Sequence, residues 1–255
     1  MHGNGQNMNN TDVENVVLCG RNAVLEALRA DTPIDTIYIC GSRHGDIIRL
    51  AKEKGIVVKD ADEKKLAKIA GEENKRGTQD ICATGAFVTY LTLDELLERR
   101  DSEKPPLYII CDEIEDPHNL GAIIRTAEGA GADGIIIPKR RSASVSAAVF
   151  RTSAGAASWL PIARVTNIAA AIDKLKENGI WIYGSDADGI EYTKTDFRGA
   201  SAIVIGSEGF GMGRLIREKC DVTVSLPMLG KITSLNASVA AGILMYEVVR
   251  QRRAD

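Results

Sequence analysis

The second half of the chain alternates short apolar runs with helical patterns, and this alternation constrains the fold more than any other feature of the sequence. Six apolar runs are predicted strands, at residues 107–111, 134–137, 161–163, 180–183, 202–206 and 222–226. Continuously apolar strands separated by helices are typical of a mostly parallel sheet covered on both faces. We therefore predict an α/β domain over residues 107–255, with ligands bound beyond the carboxyl ends of its strands.

Helices are predicted between those strands at residues 119–131, 144–152, 167–178 and 212–219, and a final helix begins at Ala237. The final helix stays apolar nearly all round until Glu247. A helix without a polar face is normally buried, either inside its domain or against a partner. Asn236 or Ser234 is expected to cap this helix by accepting a backbone N–H bond.

The first half of the chain predicts a smaller α/β unit over residues 16–91, with helices at 20–30, 46–54 and 62–70 and strands at 36–40, 57–58 and 81–90. The charged, proline-containing sequence RRDSEKPP predicts a linker, which we place at residues 92–106, with a short helix possible at 93–100. Residues 1–15 are rich in glycine and asparagine and are predicted to be a disordered tail.

The composition, with 44% hydrophobic and 26% charged residues, is that of a globular protein, and no apolar run approaches the roughly 20 residues of a membrane span. The N-terminus lacks the pattern of a signal peptide. Five widely spaced cysteines without a C-x-x-C pattern favour reduced thiols in the cytoplasm over disulfides or structural zinc. The three histidines have no metal-ligand spacing, so we expect no metal.

The formal net charge of -3 neither indicates nor excludes a nucleic-acid partner, because the footprint of such a partner is local. Lys139, Arg140, Arg141 and Arg151 form one candidate basic patch, and the arginines near residue 250 form another. Solvated surface charge is the default interpretation of each patch.

Three polar, glycine-containing segments follow predicted strand ends. In the first, at residues 116–125, helical spacing places Gly121, Arg125 and Glu128 on one face, away from the apolar residues. Arg125 is then directed away from the core, over a glycine that permits close approach. The alternative is a surface arginine paired with Glu128.

The second segment is 206–213 and the third is 226–238. The second does not match G-x-G-x-x-G, and no G-x-x-x-x-G-K-[ST] motif occurs, so the sequence gives little support to dinucleotide or nucleotide triphosphate binding. Its glycines could serve tight turning alone, although Glu208 among them favours a ligand. The third segment holds Thr233, Ser234, Asn236 and Ser238.

The sequence offers no Ser–His–Asp or Cys–His set and no clear carboxylate pair. Such a site suits a reaction whose substrate arrives already activated, so that the enzyme supplies alignment and charge stabilisation. Methyl transfer from a sulfonium cofactor is a reaction of this kind.

The three segments resemble, in order, the motifs of the SpoU (TrmH) family of RNA ribose 2′-O-methyltransferases. The matching patterns are Asn119-x-Gly121-x-x-x-Arg125, Gly206-Ser-Glu-Gly209 and Pro227-Met-x-Gly230-x-x-x-Ser-Leu-Asn-x-Ser238. The sequence GRNAVLEAL, residues 20–28, is similar to the start of the substrate-binding domain in the branch that methylates a 23S rRNA guanosine. Where that branch tends to carry His-Gln-Gly, this chain has Thr78-Gln79-Asp80.

The resemblance implies a C-terminal trefoil-knotted domain that binds S-adenosylmethionine and dimerises, and an N-terminal RNA-binding domain with the fold of kink-turn-binding ribosomal proteins. It implies that backbone at Gly206, Leu226 and Leu235 holds the adenine and ribose, and that Glu208, Gly209, Met228 and Gly230 shape the pocket. For catalysis it implies Arg125, with Asn119, Ser234 and Asn236 orienting it and the substrate.

The function implied is 2′-O-methylation of a guanosine ribose in 23S rRNA by a cytoplasmic homodimer. The alternatives are the same chemistry on tRNA or on another 23S nucleotide and, from another class, a non-catalytic RNA-binding ribosome-assembly factor. An NAD-type enzyme rests on glycine richness alone.

Overall fold

The computed structural model describes residues 13–71, 78–101 and 103–253, which form two β-sheets. The first sheet contains β1 (Val13–Cys19), β2 (Ile34–Ile39), β3 (Val57–Asp60) and β4 (Ile81–Thr89), in the order β1-β4-β2-β3. Its helices are α1 (Arg21–Arg29), α2 (Gly45–Glu53) and α3 (Glu63–Ala70). The predicted N-terminal α/β unit is therefore confirmed, with antiparallel pairing of β4 to both β1 and β2.

The second sheet contains six strands in the order β10-β8-β9-β5-β6-β7, and every pairing among the described residues is parallel. The strands are β5 (Leu107–Cys111), β6 (Gly134–Pro138), β7 (Ile162–Val165), β8 (Trp181–Glu191), β9 (Ser201–Ile205) and β10 (Val222–Ser225). The helices are α4 (Leu93–Glu98), α5 (Pro117–Gly129), α6 (Ala147–Thr152), α7 (Ile168–Glu177), α8 (Arg214–Lys219) and α9 (Ala237–Arg252). The parallel sheet is confirmed, and this strand order is consistent with the predicted trefoil knot.

The predicted N-terminal tail is too long by at least three residues. Strand β1 begins at Val13, because the backbone of Val13 pairs with Thr89 and that of Glu14 with Val88. The sequence at residues 13–15 does not alternate apolar and polar residues, so only the pairing with β4 identifies these residues as part of a strand. Residues 1–12 of the predicted tail lie outside the described residues.

The segment predicted as a linker contains α4, which packs on the six-stranded sheet. Thr92 and Glu95 form a capping box that starts this helix. Leu93, Leu96 and Leu97 of α4 are buried together with residues of β5, β6 and β9. Leu91, just before the helix, bridges to Ala163 in β7. The apolar side of α4 therefore belongs to the second sheet.

The N-terminal unit docks on α6 and on the turn that follows it. The Trp159 indole N–H donates a 3.1 Å hydrogen bond to a Glu26 carboxylate oxygen on α1. Gly155 has a φ of 89°, and a Cβ at this position would lie 2.4 Å from the Cβ of Glu26. The two units therefore meet at a contact that has no room for a side chain at residue 155.

Helix α6 in turn packs against α5 at Gly121. A Cβ on Gly121 would lie 2.7 Å from the Cβ of Thr152 and 2.9 Å from the carbonyl oxygen of Val149. The close approach that we predicted at Gly121 therefore exists, but the approaching group is α6 of the same chain. The physical reason is helix–helix packing, in which a missing side chain lets two backbones come together.

We expect Gly121→Ala to lower the free energy of unfolding by about 1–3 kcal/mol, because the added methyl group overpacks the contact between α5 and α6. Gly129→Ala, on the same helix, is the matched control. A Cβ there would meet only Tyr246 Oη, at 3.6 Å. The control should be neutral or stabilising by up to about 1 kcal/mol. Urea unfolding of both variants tests this, and equal effects would contradict the packing argument.

Candidate functional site

Three loops leave the same edge of the six-stranded sheet. They follow β5, β9 and β10 and span residues 112–116, 206–213 and 226–236. Because all six strands are parallel, their carboxyl ends lie at one edge. The three motif segments are thereby brought to one side of the sheet, as we predicted from the sequence.

Asn236 connects the loops after β9 and β10 to the first turn of α5, which continues the loop after β5. Its Nδ2 group donates a 2.9 Å hydrogen bond to Oδ1 of Asn119 in α5 and another hydrogen bond to Oε1 of Glu208. Its Oδ1 accepts hydrogen bonds from the backbone N–H groups of Ser238, at 3.0 Å, and Val239, at 3.3 Å, and so caps α9. The predicted capping role of Asn236 is confirmed, and the same side chain joins residues 117 and 28 positions away.

The glycine-rich loop after β9 is a tight hairpin. Ser207 and Gly211 exchange two backbone hydrogen bonds, of 3.0 and 2.9 Å. A Cβ on Gly206 would lie 2.2 Å from the carbonyl carbon of Gly211, which itself has a φ of 65°. Two of the glycines thus serve tight turning, and the turn places the exposed side chain of Glu208 beside Asn236.

Asp112 anchors the other end of this loop. It is buried directly after β5, and its Oδ2 accepts a 3.0 Å hydrogen bond from the N–H of Gly213. Burial raises the pKa of Asp112 above its ordinary value, although the hydrogen bond from Gly213 acts in the opposite direction. The loop is therefore held at Asn236 and at Asp112. We did not single out Asp112 from the sequence, because one acidic residue after a strand carries no motif.

A cleft of about 390 Å³ lies between the loops after β9 and β10. It is lined by seven residues that we predicted for the site: Gly206, Glu208, Gly209, Leu226, Met228, Ser234 and Leu235. Gly230 is exposed and does not line the cleft. The predicted pocket-shaping role of Gly230 therefore has no support in this geometry.

One wall of the cleft comes from a segment of β8 that the sequence did not reveal. In the pairing of β10 with β8, Thr223 pairs with Gly184 but Val224 pairs with Ile190. Residues 185–189 of β8 are therefore not paired with β10. A Cβ on Gly189 would lie 2.5 Å from the carbonyl carbon of Val224, so glycine permits this excursion. We predicted a strand ending at residue 183, because the polar sequence SDADG has no apolar pattern.

Asp186 is the acidic residue in this excursion. It lines the cleft with Ser185 and Ala187, and its carboxylate lies 3.3 Å from Nη1 of Arg217 in α8. Neighbouring Asp188 lies 3.8 Å from the same guanidinium, but it does not line the cleft. Asp186 is therefore a residue of the cleft that the sequence analysis missed, and its position in the cleft lining distinguishes it from Asp188.

A second cavity, of about 340 Å³, shares the residue 207–210 hairpin with the cleft. Asn119 and Asp116 line it, together with Glu113 and Glu115. Asp116 also caps α5 by accepting a 2.8 Å hydrogen bond from the N–H of His118. The hairpin thus separates two adjacent spaces, one lined by the predicted cofactor residues and one containing Asn119.

Arg125 lines neither space. It is exposed on the outer face of α5, six residues and so roughly 9 Å beyond Asn119 along the helix axis. Among the described residues no ion pair involves Arg125, so the alternative pairing with Glu128 is not formed. The structure brings Asn119, Ser234 and Asn236 to the joined loops and leaves Arg125 on the adjoining helix surface.

The charge of the cleft suits the cofactor that the family resemblance implies. Asp186 and Glu208 are the ionisable side chains among the described residues that line it, and both are acids. Apolar side chains and backbone from two loops complete the lining. A cleft of this size with two acids in its lining can hold a sulfonium cation that carries an adenine ring. Among the described residues no group of His, Cys, Asp and Glu is arranged to hold a metal ion.

We expect the raised pKa of Asp112 to make stability fall as pH rises. The folded state binds this proton more tightly than the unfolded state, so the free energy of unfolding decreases between about pH 3.9, the ordinary pKa, and the raised folded value. Asp112→Asn removes the ionisation but keeps an acceptor for Gly213. Urea unfolding over a pH series should show the variant gaining stability relative to the wild type across that window. Parallel curves would contradict this account.

Comparison with known proteins places this site in a family. The model of the SpoU rRNA Methylase family matches residues 106–246, and that of RNA 2′-O ribose methyltransferase substrate binding matches residues 17–90. YacO of Bacillus subtilis, described as a TrmH family tRNA/rRNA methyltransferase, is 44% identical, over 91% of this chain and 94% of its own. A relative from Staphylococcus haemolyticus with the same family description is 43% identical, over 94% and 97%.

The solved structures agree with this assignment. The SpoU methyltransferase AviRb from Streptomyces viridochromogenes, in complex with S-adenosylmethionine, has a TM-score of 0.82 and 25% identity and covers 94% of this chain and 92% of its own. The TrmH/SpoU tRNA-modifying enzyme of A. aeolicus has a TM-score of 0.54 and covers only 64% of this chain and 81% of its own. This chain therefore belongs to the SpoU (TrmH) family of S-adenosylmethionine-dependent RNA methyltransferases.

Proposed function

We propose that this protein methylates the 2′-oxygen of a guanosine ribose in 23S rRNA. The observation that carries the proposal is the joining of all three motif loops by Asn236 beside the acidic cleft. The match of residues 17–90 to a substrate-binding domain supports RNA as the substrate. The guanosine and the 23S rRNA rest on the resemblance of residues 20–28 to one branch of the family.

The cleft residues supply the cofactor site in this proposal. Backbone at Gly206, Leu226 and Leu235 holds the adenosine part, and Glu208 and Met228 shape the pocket. When bound, S-adenosylmethionine supplies an activated methyl group. The neighbouring cavity that contains Asn119 then receives the ribose, because it meets the cleft at the shared hairpin.

Arg125 is the catalytic cation in this proposal. A guanidinium with a pKa above about 12 stays protonated, so it cannot serve as a general base at neutral pH. It can instead stabilise negative charge on the 2′-oxygen and hold the adjacent phosphate through two N–H groups. Asn119, Ser234 and Asn236 orient the substrate.

A homodimer through the knotted domain accounts for the exposed position of Arg125. Helix α9 buries one side, but Val239 and Tyr246 on the other side are 49% and 53% exposed. Gly242 and Ile243 lie between them at helical spacing. This apolar stripe adjoins the surface of α5 that carries Arg125, since a Cβ on Gly242 would contact Thr126 at 3.6 Å. A second chain bound there covers Arg125 and removes water from it.

We expect Tyr246→Glu to raise the dissociation constant of the homodimer at least tenfold, because it buries a charge in the apolar stripe. Leu215→Glu is the control, since Leu215 is 57% exposed on α8 and lies outside the stripe. Sedimentation equilibrium of both variants measures the effect. A monomeric wild type, or equal effects of the two substitutions, would contradict a dimer through α9.

The function is tested by mapping ribose methylation in rRNA and tRNA from cells that lack the protein and from cells complemented with wild type, Arg125→Ala or Arg125→Lys. Wild type should restore one 2′-O-methylguanosine in 23S rRNA, and both variants should fail, because a lysine cannot reproduce the two-pronged contact. In vitro, each variant should lose at least about 100-fold in rate. Calorimetry should give affinities for S-adenosylmethionine within a few fold of the wild type.

The alternative substrates have distinct outcomes in the same experiment. A restored mark in tRNA or at another 23S nucleotide identifies that substrate, and the relatives described as tRNA/rRNA methyltransferases include both classes of RNA. A non-catalytic ribosome-assembly factor should give no cofactor heat and restore no mark. The proposed rRNA substrate implies a cytoplasmic protein. Separately, no helix among the described residues is long and apolar enough to cross a membrane.

A further inference from the structure

A third concave surface lies at the same edge of the six-stranded sheet, and its charge is opposite to that of the cofactor cleft. This basic groove, of about 320 Å³, lies between the ends of β6 and β7 and the start of α7. The charged side chains that line it are Lys139, Arg164 and Lys174. Thr166 and Asn167 also line the groove, and Asn167 caps α7 by accepting a 3.1 Å hydrogen bond from the Ala170 N–H.

Two of the three cations of the groove, Arg164 and Lys174, are held in place, and the third, Lys139, is fixed at its backbone. The Arg164 guanidinium lies 4.7 Å from the centre of the Tyr90 ring, a cation–π contact. The Tyr90 hydroxyl accepts a 2.9 Å hydrogen bond from the N–H of Val145. Lys174 pairs with Asp94 of α4, and the N–H of Lys139 donates a 2.8 Å hydrogen bond to the Val165 carbonyl. Restrained cations of this kind lose little entropy when they bind an anion.

The groove lies between the N-terminal unit and the site at the end of β5, and in the proposed function RNA contacts both. Tyr90 directly follows β4 of the N-terminal unit, so Arg164 lies where that unit joins the second sheet. Strands β6 and β7 are the first and second neighbours of β5, and strand spacing is about 4.8 Å. The groove is therefore offset from β5 by roughly 5–10 Å along the sheet edge.

Basic residues connect the groove to the cavity that contains Asn119. Lys139 lines the groove, exposed Arg140 follows it, and Arg141 Nη1 lies 3.2 Å from Oε1 of Glu113. Glu113 lines the second cavity. The run of residues 139–141 thus extends from the groove to the space that adjoins the cofactor cleft. The pattern of an acidic cleft beside a basic path matches a cationic cofactor beside a polyanionic substrate.

We propose that the basic groove is a subsite for the RNA backbone, and that it binds a phosphodiester next to the nucleotide that is methylated. This inference rests on the proposed function for the identity of the RNA. Lys139 and Lys174 contact the phosphate as point charges, and Arg164 contacts it with the donors of its guanidinium plane. The N-terminal end of α7 adds a favourable dipole. The subsite positions the RNA without reading its sequence.

The test measures binding of a full-length unmodified 23S rRNA transcript to wild type and to Lys139→Glu/Lys174→Glu as salt is varied. Each phosphate contact that is lost should reduce the slope of log affinity against log salt by about 0.7. We expect the double variant to lower the slope by about 1–2 and to weaken binding at least tenfold at about 0.1 M salt. Its affinity for S-adenosylmethionine should remain unchanged.

Lys104→Glu is the matched control. Lys104 pairs with Asp101 as Lys174 pairs with Asp94, but it lies just before β5 begins, at the amino ends of the strands and so away from the groove. Lys139→Ala provides a second variant at an exposed position. It should lower the slope by about 0.7. A slope equal to that of Lys104→Glu for both groove variants would overturn the subsite.

The same measurements separate this inference from the proposed function. If wild type binds S-adenosylmethionine and methylates the transcript while the groove variants bind RNA normally, only the subsite is wrong. If wild type methylates no 23S rRNA but its RNA affinity depends on Lys139 and Lys174, the proposed 23S rRNA substrate is wrong and the backbone subsite stands.

Discussion

The hydrogen bonds of Asn236 are the interaction on which the site depends. One amide side chain donates to Asn119 and Glu208 and accepts from the first turn of α9. Both of its N–H donors and its oxygen are used, so its orientation is determined on every side. No aspartate can replace it, because a carboxylate has no N–H to donate and adds a second negative charge beside Glu208. The three loops are therefore a single unit and not three independent turns.

Close contacts between backbone segments, each made possible by a glycine, hold this unit in place. Gly206 lets the hairpin fold back on itself, and Gly121 lets α6 lie against α5. Gly155 lets α1 of the N-terminal unit approach the turn after α6. A continuous series of contacts thus connects the N-terminal unit, through α6, to the helix that carries Asn119 and Arg125. Glycine acts at these positions by making room for the chain's own atoms.

At the carboxyl ends of the six parallel strands, two regions of the surface differ in charge. Asp186 and Glu208 are the ionisable residues among those described that line the cleft between the loops after β9 and β10, while the groove beyond β6 and β7 is lined by basic residues. The net charge of -3 does not reveal this difference, because it adds up all charges without regard to where they lie in the structure. An overall acidic protein can therefore bind RNA through one local surface.

Residue patterns predicted the parallel sheet, most helices and the three polar segments, because apolar periodicity and glycine spacing are local properties of the chain, and the family resemblance supplied the individual site residues. The boundary at Val13, the packing of α4 and the excursion of residues 185–189 escaped prediction, since each depends on a partner strand or sheet face far away in sequence. Only the tertiary structure decided that Asp112 and Asp186 belong to the site, that Gly230 lies outside the cleft and that Arg125 lines neither cavity. The reason is physical: a sequence specifies which groups can bond, whereas the fold alone determines which of them meet.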